Sequence, residues 1–271
     1  MNDFTTDQEF ELFRNLIYEH SGISFSASNR SILESRLRER LKITKLDHVM
    51  DYHELITRDK EETKTLLDSV TTNLTRFFRN ASHFETFQKF VIPDLVAHKK
   101  NRRENRVKIW SAGCSTGEEP YSVSIALMEN LPSHLKPEIL GSDLSLKSLM
   151  TAKEGFYRDG RIDGIPPPYL AKYFDRKRDG YQAKDLVKQT IKFDYHNLKY
   201  DSGLSGVDCV FCRNVLIYFD SAAQQASVNR IWNVMTAHSF LFIGHSESLF
   251  GMDTKFEFHK TEWGTIYRKS V

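Results

Sequence analysis

The sequence predicts an α/β chain: a mainly parallel sheet with helices on both faces, carrying a small antiparallel insertion and preceded by an all-α domain. Three observations lead there. The first 80 residues place apolar side chains at helical spacing and contain no strand-like run. After residue 106, short apolar runs alternate with helical patterns, as repeated βαβ units do. Between 156 and about 196 the alternation stops, around Pro166-Pro167-Pro168 and Gly180.

Each element has its own signal. Thr6-Asp7-Gln8-Glu9 has the form of a capping box, in which hydroxyl and carboxylate satisfy orphan N–H groups at a helix start. Phe10, Phe13 and Ile17 follow at helical spacing, and Gly22 fits a helix stop. Leu33, Leu37 and Leu41 make a second stripe; Leu46, Val49, Met50, His53 and Ile56 a third; Leu66, Leu67 and Val70 a fourth. A further capping box, Ser82-His83-Phe84-Glu85, opens a connecting helix that Pro93 kinks or ends. The polar run 99–106 reads as a solvated loop. Residues 107–110 read as a strand, 119–129 as a helix, 138–142 as a strand and 146–153 as a helix. A strand at 207–212, a helix at 222–235 and strands at 239–243 and 265–268 follow. Within the insertion, 181–183 and 190–193 read as short strands. The expected division is therefore 1–80, 81–106 as connector, and 107–271 with its insertion at 156–196.

Composition narrows the function. Of 271 residues, 40 % are hydrophobic and 27 % charged, as in ordinary soluble domains. Lys plus Arg number 38 against 36 Asp plus Glu, a balance that disfavours a dedicated nucleic-acid binder. No run approaches the roughly 20 apolar residues of a membrane helix, and the start has no basic or apolar leader. Three cysteines are too few and odd in number for a disulfide framework. The expectation is a cytoplasmic protein with no membrane insertion.

The most informative segment is 110–122, Trp-Ser-Ala-Gly-Cys-Ser-Thr-Gly-Glu-Glu-Pro-Tyr-Ser. It reads as a strand end, a glycine turn and a helix opening with Pro120 in its first turn. In a doubly wound sheet this is the edge where ligands bind. A phosphate cradle favours a Lys after such a turn. Here two glutamates follow Gly117, which suits a ligand with a cationic part, such as the ammonium and sulfonium of S-adenosylmethionine. Asp143, after the second strand, is placed to accept from ribose hydroxyls. This combination favours S-adenosylmethionine over NAD, so an NAD-dependent oxidoreductase is an alternative of lower rank.

Four stretches together resemble the chemotaxis receptor methyltransferase (CheR) family: 71–79, 110–122, 211–220 and Gly244-His245-Ser246-Glu247. They come in the family's order and spacing, and the resemblance spans essentially the whole chain. It implies a helical domain followed by a Rossmann-like S-adenosylmethionine methyltransferase sheet with an inserted β-subdomain. It also implies transfer of a methyl group to glutamate side chains of bacterial chemoreceptors, leaving S-adenosylhomocysteine. Carried over by motif position, cofactor contacts fall on Asn73, Thr75, Arg79, Glu118, Asp143, Asn197, Leu198, Asn214 and Val215. Glu118 would meet the methionine end, Asp143 the ribose, and Asn197 with Leu198 the adenine. Arg79 and Tyr218 would lie nearest the transferred methyl. A glutamate carboxylate is already ionised at neutral pH, so neither a general base nor a metal is expected. The other reading is a non-catalytic nucleotide- or partner-binding module on the same fold.

Other features are weighed beside these. Cys209 and Cys212 match C-x-x-C, but period 2 sends residues three apart to opposite faces of a strand. Gly244 to Ser248 resembles a nucleophile elbow with Ser248 in place of the final glycine. The basic second helix sets Arg36 and Arg40 on one face and Arg38 and Lys42 on another. Arg36 and Arg40 are the candidates for docking acidic methylation helices of a receptor, a role the resemblance supports. The insertion turn at 175–181 is charged, with one glycine, which points to an enzyme independent of a receptor C-terminal peptide.

Overall fold

The computed structural model describes residues 4–71 and 74–271. The N-terminal part folds as α1 (Asp7–Ser21), α2 (Arg30–Thr44), α3 (Val49–Arg58) and α4 (Lys60–Val70). The Thr6 capping box forms as read: Thr6 N–H donates to Glu9 Oε2 at 2.7 Å, and Glu9 N–H donates to Thr6 Oγ1 at 3.3 Å. Gly22 closes α1 in the left-handed region at φ 78°. Phe13, Ile17, Leu33, Leu37, Tyr52 and Leu66 are completely buried. Each such side chain contributes about 1.5–3 kcal/mol, so these stripes outweigh the few tenths that separate helix propensities.

The connector departs from the reading. Helix α5 (Ala81–Thr86) is preceded by Asn80 rather than capped by Ser82, and no side chain caps it. A single π-helical turn, Phe87–Val91, leads into α6 (Ile92–Arg102). Pro93 has no N–H to give to the carbonyl four residues back; the backbone widens ahead of it, and Ile92 N–H bonds Phe87 O. The polar run expected as a loop is helical as far as Arg102, and Lys99 is buried. Its ammonium lies 2.7 Å from Asp208 and also reaches Glu104. Burial pulls the Lys99 pKa down, but hydrogen bonds to Asp208 and Glu104 leave it above the ordinary lysine value.

From residue 106 the chain runs β1 (Arg106–Ala112), α7 (Glu118–Asn130), β2 (Lys136–Asp143) and α8 (Leu146–Glu154). The insertion follows as β3 (Phe156–Arg158), α9 (Pro167–Tyr173), β4 (Phe174–Lys177), β5 (Gly180–Ala183) and α10 (Asp185–Lys188). Then come β6 (Ile191–Tyr195), β7 (Val207–Cys212), α11 (Ser221–Val234), β8 (Met235–Ile243), β9 (Glu257–Lys260) and β10 (Thr265–Lys269). The large sheet has the order β6-β2-β1-β7-β8-β10-β9, parallel from β6 to β8 and antiparallel at β10 and β9. The small sheet, β3-β5-β4, is antiparallel. One expected member is absent from it. Residues 190–193 were expected in the small sheet, but Ile191–Tyr195 pairs parallel with β2, Ile139 opposite Ile191, and forms the edge of the large sheet.

The two faces of the large sheet carry different cores. Trp110, Ala112, Val210, Cys212, Leu241 and Ile243 pack with the stripes of α1 to α4. Val107, Ile109, Cys209, Phe211, Phe240 and Phe242 pack with α5 to α7 and the insertion. Cys209 and Cys212 therefore face opposite ways, as strand geometry requires. The N-terminal helices are thus one cover of the sheet, continuous with its core.

His83 in α5 sits against Phe242, ring centroids 5.6 Å apart. Burial, then the charges of Arg213 and His245, pushes its pKa down to about 4. An unfolded chain takes up this proton near pH 6.5, whereas the folded one resists until about 4. This contribution is therefore complete above pH 6.5 and is lost as pH falls through that window, by on the order of 3 kcal/mol. Urea unfolding of His83→Leu against the parent between pH 7 and 4 should show the variant losing less stability on acidification. Parallel curves would contradict it.

Candidate functional site

Strands β1, β2, β6 and β7 are parallel, so their carboxyl ends share one edge, and β1 sits where connections diverge to β2 and β7. Two adjoining hollows open at that edge and share Gly113, Ser115, Asn214 and Tyr218. The first encloses about 630 Å³ of empty space counted out into open solvent.

The turn after β1 forms the floor. Gly113 has φ 79°, and a Cβ there would fall 2.3 Å from Val215 Cγ2. Only glycine fits at this crossing. The Asp143 carboxylate holds the turn: Oδ2 accepts from Ser115 N–H at 2.7 Å and Oδ1 from Ser145 N–H at 2.9 Å. Burial raises the Asp143 pKa, and those two backbone bonds oppose the rise.

The segment before α5 carries Arg79 to the second hollow. Phe77 is buried against Tyr157 and Phe174, with centroids at 4.8 and 5.6 Å. Phe78 N–H donates to Ser122 Oγ at 2.9 Å. Phe78 and Asn80, on either side of Arg79, both lie at positive φ, a costly conformation that neighbouring packing must hold. Arg79 Nη1 donates to Leu74 O at 3.0 Å, and the Arg79 carbonyl accepts from Arg213 Nη2.

Of the residues singled out from sequence, Asp143, Asn197, Leu198, Asn214, Val215 and Tyr218 line the first hollow. Thr75, Arg79, Asn214 and Tyr218 line the second. Asn73 lies outside the described residues. Glu118 is elsewhere: fully buried, its carboxylate accepts from Thr116 Oγ1 at 2.7 Å and pairs with Arg161 of the insertion. The glutamate lining the second hollow is Glu119, which accepts from Ser111 Oγ at 2.7 Å and from Arg213 Nη1 at 3.2 Å. Burial raises its pKa, and Arg213 is the chief opposing influence. Helix phase separates the two side chains. Adjacent residues at the start of α7 differ by about 100° in direction, and the identity of the pair does not say where the phase begins.

Asn197 is a brace. Its Nδ2 donates to His20 O at 2.7 Å and its Oδ1 accepts from Lys199 N–H at 2.9 Å, tying the end of α1 to the cleft wall. Ser21 and Ile23 complete that wall, and Ser24 N–H bonds Tyr218 O at 2.8 Å. Neither contact had a sequence signal. The docking pair also divides. Arg40 is a strut, its guanidinium forked onto Glu62 of α4 at 2.7–2.9 Å with the side chain 11 % exposed. The face it shares with Arg36 turns inward there, because α4 offers a carboxylate. Arg36 remains at the surface beside Glu39, 40 % exposed.

Ser115 Oγ, Asn214 Oδ1 and His196 Nε2 are buried at the cleft and have no hydrogen-bond partner among the described residues. Unpaired buried polar atoms are costly, and a ligand bearing hydroxyls and amines would pair them. This donor set fits a nucleoside-containing cofactor.

Residues 73–265 match the family described as CheR methyltransferase, SAM binding domain, and residues 8–71 match CheR methyltransferase, all-alpha domain. The chain belongs to the CheR methyltransferase family. Among relatives, chemotaxis protein methyltransferase 2 of Vibrio cholerae is 32 % identical, covering 99 % of this chain and 96 % of its own. Chemotaxis protein methyltransferase 1 of Pseudomonas aeruginosa is 34 % identical over 96 % of this chain and 97 % of its own. The Escherichia coli chemotaxis protein methyltransferase is 32 % identical over 93 % and 88 %. As a CheR methyltransferase with this domain pair, the chain is an S-adenosylmethionine-dependent enzyme; the NAD reading falls.

Proposed function

We propose that this CheR methyltransferase esterifies glutamate side chains on the cytoplasmic methylation helices of chemoreceptors, working in the cytoplasm. No described helix is long and apolar enough to cross a membrane. The observation that carries the reading is the cleft itself. Carboxylates of Glu119 and Asp143 stand on its floor side and the Arg79 guanidinium lines the adjoining hollow, with Tyr218 common to both.

When bound, S-adenosylmethionine supplies an electrophilic methyl group on a cationic sulfur. Glu119 would hold the ammonium of the methionine end, the role first read onto Glu118. Asp143 would receive ribose hydroxyls on lone pairs left by its two backbone bonds. The adenine would lie between Leu198 and the turn at Asn214-Val215, with Asn197 shaping the wall. Thr75 would border the donor end, and Asn73 is a further cofactor contact by motif position alone. Arg79 presents a forked set of donors suited to a carboxylate, and Tyr218 fixes its direction of approach. Leu74 and Ile217, 78 % and 50 % exposed at the mouth, would exclude water as a receptor helix docks. Arg36 remains the docking residue for acidic helices.

The test is incubation with methyl-labelled S-adenosylmethionine and a chemoreceptor cytoplasmic fragment. Base-labile label on the fragment is expected. Cofactor binding without any transferred label would instead identify a non-catalytic module.

A further inference from the structure

Gly244-His245-Ser246-Glu247 lies beyond β8, and no cofactor or substrate role has been given to it. Its carboxylate is nevertheless fully engaged. Glu247 Oε2 accepts from Asn214 N–H at 2.9 Å and from Gly244 N–H; Glu247 Oε1 accepts from Ile217 N–H at 3.2 Å. These donors belong to two separate loops. One leaves β7 with Asn214 in the left-handed region at φ 60° and continues into the short 3-10 turn Leu216–Tyr218. The other leaves β8. Gly244 makes room for the clasp: a Cβ there would stand 2.6 Å from Glu247 Oε2 and 2.9 Å from Asn214 N.

We infer that Glu247 is a positioning residue of the methyl-transfer site, acting through the Asn214–Tyr218 turn. The turn presents Asn214 Oδ1, Val215 and Tyr218 to the cleft, and its direction is set at Asn214, a residue type that tolerates the left-handed conformation. A carboxylate suits this place because every group facing it is an N–H donor. Glutamine would turn its own NH₂ toward at least one of them. The inference rests on the cofactor cleft proposed above.

Two measurements separate Glu247 from that reading. The first is amide hydrogen exchange on the apo protein. In Glu247→Gln, the amide of Asn214 or of Ile217, whichever faces the new NH₂, should exchange about tenfold faster or more, while those of Val210 and Phe211 in β7 keep their parent rates. The second is calorimetric binding of S-adenosylhomocysteine. Glu247→Gln should weaken binding by about tenfold or more, with Glu247→Asp recovering most of the loss because it keeps both acceptor oxygens. Failure of the parent protein to bind would remove the cleft reading, leaving the exchange result to judge the clasp. Unchanged Asn214 and Ile217 exchange in Glu247→Gln, or parent-like binding by that variant, would overturn the inference.

Discussion

Arg79→Ala should lower methyl transfer by about 10²–10³-fold, the usual consequence of removing one aligned donor from a charged reaction. The fold should survive, because what is anchored in this segment is not the guanidinium. Phe77 is buried between Tyr157 and Phe174, Phe78 N–H is held by Ser122, and the Arg79 carbonyl is held by Arg213. All of these persist in alanine. The lost side-chain bond, to Leu74 O, is at an exposed site. Arg79→Lys keeps charge without the fork and should recover only part of the rate. Initial rates at saturating S-adenosylmethionine, with thermal melts of each variant, check both halves. Near-normal turnover by the alanine variant would remove Arg79 from the proposed chemistry.

The architecture was legible because it rests on short-range patterns. The Thr6 box, the stripes of α1, α2 and α4 and the alternation after residue 106 are local signals that formed as read, whereas the buried face of α3 is Val49, Tyr52 and Ile56, with Leu46 before the helix and Met50 exposed. The failures share a different cause. Lys99 stood in a run of charges, and only the fold supplies Asp208, 109 positions later, to bury it against. Residues 191–195, Ile-Lys-Phe-Asp-Tyr, alternate apolar and charged side chains in a way that suits a strand of either sheet; the choice fell to β2, through tertiary register. Arg40 and Arg36 are equivalent by spacing, and Glu62 separates them.

The site was legible to a similar depth. Motifs placed Asp143, Asn214, Val215 and Tyr218 at one sheet edge, because strand ends are set by topology. What motifs do not encode is which side chain of a motif turns inward and which other chain segments supply partners. Asn197 bonding His20, and Glu247 bonding Asn214, are contacts across 177 and 33 positions. The first appears only when α1 closes over the sheet, and the second only when β7 and β8 pair side by side.

The pair Glu118 and Glu119 turns that distinction into a measurement. Glu119→Gln keeps one acceptor oxygen, which can serve Arg213 while Ser111 Oγ accepts from the new NH₂, and removes the negative charge from the cleft. S-adenosylmethionine binding should weaken by about 10²-fold, as when a partly buried charge pair is broken. S-adenosylhomocysteine keeps the ammonium and lacks the sulfonium charge. An equal loss for both ligands would therefore place the ammonium at Glu119. Glu118→Gln should leave both affinities within about threefold, since its partners are Thr116 and Arg161, outside either hollow. The pH dependence has a definite sign. Because burial holds the Glu119 pKa above the ordinary carboxylate value, lowering pH should neutralise it early, and affinity should fall before exposed carboxylates titrate. That acid limb should shrink in Glu119→Gln to what Asp143 contributes, and persist in full in Glu118→Gln. The reverse ranking of the two variants would return the methionine end to Glu118 and require α7 to open with a different phase when the cleft is filled.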